Sequence, residues 1–532
     1  MRRAACARRG GLVNRAGIQP ARGAISLFLG RVCRHVAAMF RLWCLLLVLA
    51  PVLGARPFMV VVYNVENLFD ADGSALFEDY QPARYSRAHV LTKLQNITRT
   101  LALFEKGRGP DIILLQELEV DLSDGAALPD YADILRRHAH HRITDMLGEA
   151  FTPAIADLPA EALLLKALHD AGLTGYTVVR PDNIKPPDSR GPLAQRCLVL
   201  TRFPVKHSRV YPTPDARPIH EVLVEVEGAP LYLFNNHWKS GASNPETEGA
   251  RIANARTLRT RLDEILQADP NADIIIGGDL NSQYNQKQRY PRMKETGIND
   301  VLGSQGNELA VRGPTRDLYN LWFELPPDER GSDVFRGEWG TLMHLIVSRG
   351  LYDYRGVQYV DNSFGVAKVR GLNMDDTGLP IRWSFDGPAG SGFSDHFPVY
   401  AKFTVVRDNR PDRYLALRDA SVESMPSTHS VDYAKVDLPK VALDPAQLPS
   451  GAALRDGTHT GRIFRIEGPV GKGRRLTVEV RGDLYDVWSF DQELRARLRK
   501  EHKAGETIRF YGELGQYRGR WQFIIRDASW AK

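Results

Sequence analysis

The sequence predicts a layered α/β sandwich followed by a small all-β barrel. Three observations carry this. Between residues 58 and 406, apolar β-type runs recur with only a few helix-type stretches among them. Strands that outnumber helices favour stacked sheets over a doubly wound parallel sheet. Over 457–532 the pattern changes to five short strand-like runs with one helix-type stretch between the third and fourth.

The strand-like runs of the first region are FMVVVYNVENLF, DIILLQELE, YTVVRP, RCLVLTRF, HEVLVEVEG, LYLFNNHW, DIIIGGDLN, TLMHLIVS and FPVYAKFTVV. Residues 85–106 and 249–268 carry helical apolar spacing, and 131–151 and 159–171 carry a weaker version. Residues 407–456 are rich in Pro, Ser and Asp without periodicity and read as a partly packed linker. The runs of 457–532 are GRIFRIEG, RLTVEVRG, LYDVWSF, ETIRFYGEL and RWQFIIRDASW, with a helix over 491–502. That order is the one found in OB-folds. The string Tyr517-Arg518-Gly519-Arg520-Trp521 reads as a turn joining the last two strands.

The chain has 532 residues, of which 43% are hydrophobic and 25% charged. This excludes a collagen-like, wholly disordered or polytopic membrane protein. The formal charge of +6 is misleading. Residues 1–55 hold nine Arg and no acid, so 61 basic and 64 acidic side chains remain beyond them, a balance of −3. Within 456–532, 16 basic residues face 11 acidic ones, a net of +5 that leaves the preceding body at −8. Beyond residue 55 the one cysteine is Cys197, so stability rests on the core rather than on disulfides.

From Met39 the chain reads MFRLWCLLLVLAPVLGARP, with one basic residue, an apolar run and then small residues. These are the parts of a secretory signal peptide. Residues 1–55 are thus expected to be an N-terminal extension and leader, with Met39 as the translation start and an exported, periplasmic or extracellular product. A long n-region or a retained membrane anchor is the alternative.

Five strings place polar side chains at strand ends. They are Asn64 and Glu66 in YNVENLF, Glu117 in LLQE, His237 and Lys239 in NNHWKS, Asp279 and Asn281 in GGDLN, and Asp395 and His396 in SDHFPVY. Taken singly, each reads as a solvated loop or a packed side chain. Together they mix carboxylate, amide and imidazole. Carboxylates without cysteine suit a hard cation such as Mg²⁺ or Mn²⁺. Attack on a phosphodiester needs charge neutralised at phosphorus and a carboxylate to activate water. His138, His140 and His141 lie on a polar stretch and read as surface.

In this order, NVEN, QE, NHWKS, GGDLN and SDHFPV resemble the endonuclease/exonuclease/phosphatase superfamily over about 58–405. The resemblance implies a four-layered α/β sandwich, two packed mixed sheets flanked by helices, in a catalytic domain over 56–406. It implies Glu117 as principal metal ligand, with Glu66 and Asp395 near the metal and Asn64 supporting metal or phosphate. Asp279 would orient or deprotonate water, Asn281 and His396 would hold the phosphate, and His237 would be the second active-site histidine. Lys239 and Arg251 would contact substrate. The implied enzyme is a Mg²⁺- or Mn²⁺-dependent phosphodiesterase, a nuclease acting on DNA or RNA. A hydrolase of small or lipid phosphoesters, or a catalytically weakened nucleic-acid-binding protein, is the alternative.

One string departs from that pattern. WGTLMHLIVS places Met343 where the superfamily carries the Asp that pairs with the last histidine. Either another acid substitutes, or His396 is less basic, or activity is reduced. In 457–532, aromatics on both strand faces among arginines point to single-strand binding, with barrel core as the plainer reading.

Overall fold

The computed structural model describes residues 56–123, 129–182, 191–313, 315–375, 377–406, 430–448, 459 and 461–531. The expected leader in 1–55 lies outside them, as do 407–429 and 449–456 of the expected linker. The chain begins with β1 (Phe58–Leu68), β2 (Ile112–Glu119), β3 (Thr177–Val179) and β4 (Gln195–Thr201). It continues with β5 (Val205–Tyr211), β6 (Ile219–Val226), β7 (Ala229–His237) and β8 (Ile274–Asp279). Shorter strands follow: β9 (Ser304–Gln305), β10 (Leu318–Asn320), β11 (Asp333–Phe335), β12 (Glu338–Gly340), β13 (Met343–Val347), β14 (Gly356–Tyr359) and β15 (Gly365–Val366). The last strand of this body is β16 (Val399–Val406).

One sheet has the order β14-β16-β1-β2-β4-β3, with β15 also on β16, and the other β5-β6-β7-β8-β13-β10-β9. The β1–β2 and β7–β8 pairs are parallel, and their outer neighbours are antiparallel. Each of the nine strand-like runs overlaps one of these strands. The sequence reading did not include β5. Its VKHSRVY segment is half-exposed and mostly polar, so no apolar alternation marks this sheet edge.

Four helices matter to the layering: α1 (Arg87–Leu101), α2 (Tyr131–Arg137), α3 (Ala160–Asp170) and α4 (Pro245–Ala268). The stretch 131–151 is not one helix, because α2 stops at Arg137 and a separate turn, Ile143–Met146, follows. Between them His138 is half-buried and His140 and His141 are exposed, so no apolar anchor carries the helix on. By contrast α4 starts earlier than its apolar spacing shows. Asn244 caps it by accepting from the Glu246 N–H, and Pro245 occupies the first turn.

Alternate residues explain the layers. Val61, Tyr63, Ile113, Leu115 and Leu198 pack with α1 and α3 in one core. Phe234, Ile274, Ile276 and Ile346 pack with α4 in another. The intervening residues, such as Val62, Leu114, Leu233 and Leu345, are also fully buried. They lie on the opposite faces of the same strands, where the two sheets meet. A Cβ on Gly277 would stand 2.6 Å from Leu114 Cδ1 and 2.9 Å from Val62 Cγ2, so one sheet touches the other there. Asn235 ties the sheets further, donating to the Leu115 and Leu198 carbonyls and accepting from Gln116.

The C-terminal segment forms a five-stranded sheet of β17 (Ile463–Pro469), β18 (Thr477–Val480), β19 (Asp483–Trp488), β20 (Thr507–Tyr517) and β21 (Arg520–Ile524). Its one longer helix, α5 (Gln492–Glu501), lies between the third and fourth strands, as the sequence predicts. The order is β17-β20-β21-β19-β18, with β19 and β21 parallel. The closed barrel expected from the sequence is not shown: β17 and β18 stand at the two ends of the order and pack together without pairing as strands, apart from the isolated Val470–Val478 bridge just beyond β17. At the turn between β20 and β21, Arg518 and Gly519 both have positive φ, 50° and 77°. Such a two-residue link matches strand twist, and glycine takes the second position without steric cost. Leu438 and Leu448 of the linker region pack into this module's core. Among the described residues, no helix is long and apolar enough to cross a membrane.

Candidate active site

The parallel pairs β1–β2 and β7–β8 run out at the same end of the two sheets, and residues at or near those ends meet. Asn64 Nδ2 donates to Glu117 Oε1 at 2.9 Å and to Asp279 Oδ2 at 3.1 Å. His237 is in register with Asp279 on the neighbouring strand. Its Nε2 lies 3.8 Å from Asp279 Oδ2 and 3.7 Å from Glu117 Oε1. His396 brings its Nε2 to 3.6 Å from both Asp279 Oδ2 and Asp395 Oδ1. A buried carboxylate thus stands between two imidazoles and one amide.

The backbone is bent to make this end. Glu66, Asn67, Glu117 and Asn281 all have positive φ, between 45° and 67°. Non-glycine residues in this region cost of order 1–3 kcal/mol each and persist where surroundings hold them. Ser394 supplies part of the hold, donating from Oγ to the Asn64 carbonyl at 2.7 Å and accepting from the His396 N–H at 3.1 Å. Gly278 has φ 135°, and a Cβ there would stand 2.0 Å from the Asn236 carbonyl oxygen. The GG of GGD is therefore required by packing on both sides.

The electrostatics separate the two histidines. Burial pushes His237 well below the usual histidine range, with Arg217 and His396 adding to it, so it is neutral. Burial also pulls on His396, but Asp395, Asp279, Asp333 and Glu117 together raise it to about 9. Burial raises Asp279 to about 6 against the pull of His396 and the Asn281 N–H. Burial likewise raises Glu117 and Glu66, and Asp395 adds to both.

The remaining expected residues fall into three groups. Asn281 is at the cluster: its N–H donates to Asp279 Oδ1 at 2.9 Å and its Nδ2 to the Trp238 carbonyl at 3.2 Å. Glu66 and Asp395 lie on either side of Arg382, at 3.3 and 3.5 Å. Lys239 and Arg251 are not brought into the cluster. Lys239 is half-buried and forms no ion pair among the described residues. Arg251 is fully buried, paired with Glu248 and donating to the carbonyls of Lys239, Ser240 and Asn244. Its place is to staple the loop after β7, because its donors are already taken within the protein.

The oxygen-only donor set of Glu117, Glu66, Asp395 and Asn64 fits a hard divalent cation. Among the described residues, the acid triplets gathered within 4.8 Å lie elsewhere, at Asp70, Asp72 and Asp121 and at Glu308, Glu324 and Asp361. Glu66, Glu117 and Asp395 are spread more widely. That suits a cation held by one or two carboxylates that keeps its waters.

Sequence reading missed Arg382, Ser394, Lys93 and Asp333. Lys93 is fully buried, donates to the Phe393 carbonyl at 2.8 Å, and is pulled down to about 8 by burial. Ser394 stands in the SDHFPVY string itself, whereas no local signal marks the other three, since each becomes polar company for the site only through distant chain. Asp333 bears on Met343. Met343 lies opposite Asp279 in the β8–β13 register and is fully buried. Asp333 is bridged to His396 in antiparallel fashion, with the Phe397 N–H on the Ser332 carbonyl at 2.6 Å. The Ser332 hydroxyl and the Leu342 N–H fix its carboxylate. Directly opposed residues of such a pair share one face. His396 Nδ1 has no hydrogen-bond partner, so Asp333 acts on it by charge. Of the three alternatives left open by the sequence, a substituting acid is the one this geometry offers, and a less basic His396 is not.

No curated protein matches the sequence. Among solved structures, TDP2 from Caenorhabditis elegans is 16% identical, with a TM-score of 0.35 over 67% of this chain and 78% of that one. A Danio rerio TDP2 complexed with single strand DNA product is 14% identical, with a TM-score of 0.34 over 66% and 99%. An endonuclease/exonuclease/phosphatase family protein from Leptotrichia buccalis is 16% identical, with a TM-score of 0.37 over 65% and 99%. Residues 187–405 match the model of the Endonuclease/Exonuclease/phosphatase family. That stretch, which is under half of the chain, carries His237, Asp279, Asn281, Asp395 and His396.

Proposed function

We propose that this chain is a Mg²⁺- or Mn²⁺-dependent phosphodiesterase that hydrolyses nucleic acid. The observation that carries the proposal is Asp279, buried between His237 and His396 and hydrogen-bonded by Asn64. With a value near 6, its carboxylate is ionised at neutral pH yet basic enough to take a proton from water. His396, charged up to about 9, donates to a non-bridging phosphate oxygen as negative charge builds there. Asn281 shares that role, and neutral His237 adds a hydrogen bond beside the carboxylate. Glu117, assisted by Asn64, Glu66 and Asp395, would hold the cation, which when bound neutralises charge on the phosphate. Water adds to phosphorus, the ester P–O bond breaks, and the leaving oxygen takes up a proton.

The C-terminal module, read as OB-like, would hold the polymer. Phe490 and Tyr517 are 65% and 61% exposed. The guanidiniums of Arg526, Arg518 and Arg495 lie over Phe490, Tyr517 and Trp488 at 5.5, 5.3 and 4.1 Å. Stacking rings with cations beside them suit a single strand. The signal-like segment after Met39 supports export to the periplasm or beyond. The −8 balance of the preceding body favours a second reading, hydrolysis of a small or lipid phosphoester, since such a body does not draw in a polyanion.

The test offers the full chain supercoiled plasmid, single-stranded DNA, RNA, a chromogenic diester and sphingomyelin vesicles, with Mg²⁺, Mn²⁺ or EDTA. Metal-dependent cleavage of polynucleotide that vanishes in Asp279→Ala is expected. Turnover of only the small or lipid esters would move the assignment to the second reading.

A further inference from the structure

A cavity of about 500 Å³ opens beside the cluster, lined by the aromatic residues Phe77, Tyr80, Trp383 and Phe385 and by the acidic residues Glu66, Glu78 and Asp79. We propose that it is a stacking subsite for one unpaired nucleobase of the substrate strand. This deepens the reading above and rests on it for the identity of the polymer.

Position is the first argument. Glu66 belongs both to the cavity wall and to the candidate metal ligands. The backbone N–H of Trp383 donates to its carboxylate at 2.7 Å. Whatever fills the cavity is therefore attached close to the phosphate being cut. Size is the second: the volume falls in the roughly 300–1,000 Å³ range of small-molecule sites. A base pair held within a duplex cannot enter such a hollow, whereas a splayed base can.

Lining chemistry is the third argument. Tyr80 and Phe385 meet edge-to-face at 5.0 Å, as do Trp383 and Phe385 at 6.1 Å. Phe77 tilts against Tyr80 at 6.5 Å. Tyr80 and Trp383 are buried, Tyr80 stacking on Phe69 at 4.3 Å, so the ring surface open to a flat guest belongs to Phe77 and half-buried Phe385. The carboxylates of Glu66 and Glu78 disfavour a second phosphate or another anion. They accept hydrogen bonds from the ring and exocyclic N–H groups that a base carries. Phe77 is 37% exposed, so it sits at the mouth and can be changed without opening the core.

The test is fluorescence anisotropy with the full chain in EDTA. A short single-stranded oligodeoxynucleotide is compared with an equally long strand of abasic residues. The intact strand is expected to bind about 10- to 100-fold more tightly. Phe77→Ala should remove most of that difference and leave the abasic affinity unchanged, and Phe77→Trp should retain it. Equal affinity for both strands, or equal weakening of both by Phe77→Ala, would overturn the subsite. Cleavage of the same strands with Mg²⁺ separates the two readings. Base-dependent binding without cleavage removes the nuclease and leaves the subsite, and base-independent cleavage does the reverse. Loss of sphingomyelin hydrolysis in vesicles on Phe77→Ala, without change on either strand, would give the cavity to a lipid.

Discussion

The sandwich body and the C-terminal module use the same residue types in opposite ways. In the body, Glu117, Asp279, His237 and His396 are gathered at strand ends, and burial shifts the pKa of each. In the module, Glu467–Arg509 and Asp486–Arg520 are ion pairs on the open surface, and Phe490 and Tyr517 face solvent. Exposed pairs of this kind contribute little to stability, because water screens them. The contrast teaches that the body gathers desolvated charge on bent backbone, whereas the module carries exposed rings with cations beside them on its surface.

The strongest way to break this comparison is at Asp279. Asp279→Ala should lower turnover by about 10²–10⁴-fold, the range of a lost general base, with the far-ultraviolet circular dichroism unchanged. An active variant would move the chemistry elsewhere. The next effect is pH dependence. Below about 6 Asp279 takes up a proton and ceases to act as a base. Above about 9 His396 loses its proton and its charge. The kcat/KM profile should therefore be bell-shaped, with limbs near these values. A flat profile across both would show that neither group titrates in the reaction.

Asp333→Asn should cost about tenfold, corresponding to roughly 1.4 kcal/mol of charge stabilisation of the His396 imidazolium. It should also move the alkaline limb to lower pH. The double variant Asp333→Asn with Met343→Asp should restore part of the loss by returning a carboxylate to β13, and no restoration would leave Asp333 as a packing residue only. The smallest effect belongs to the module. Trp488→Ala with Phe490→Ala should weaken single-stranded DNA binding several-fold without altering kcat on a small diester. A changed kcat would show that the module reaches into the chemistry.

Much of this was legible in the sequence, and the reasons can be given by residue. Asn64, Glu117, His237 and Asp279 each close a strongly apolar run, so their place at strand ends follows from hydropathy alone. The turn at Arg518-Gly519 announces itself by its glycine and basic flanks. From the sequence Arg251 is expected to contact substrate, but charge in a sequence does not tell a buried staple from an open binding group. The segment 131–151 looked helical because its apolar spacing is sparse but regular, and the structure breaks it where polar histidines give no anchor.

The sequence by itself determined most of the longer strands, which of them carry chemistry-bearing groups toward their ends, and that a separate basic, strand-rich module follows. These are local properties, set by the alternation of apolar and polar side chains along a few consecutive residues. Only the tertiary structure decided that the four strand ends converge and that His396 is charged while His237 is neutral. It also decided that Asp333, ten residues before Met343, lies opposite His396. The physical reason is the same in each case. A side chain's charge state and partners depend on desolvation and on groups brought from distant parts of the chain, and neither is written in its neighbours.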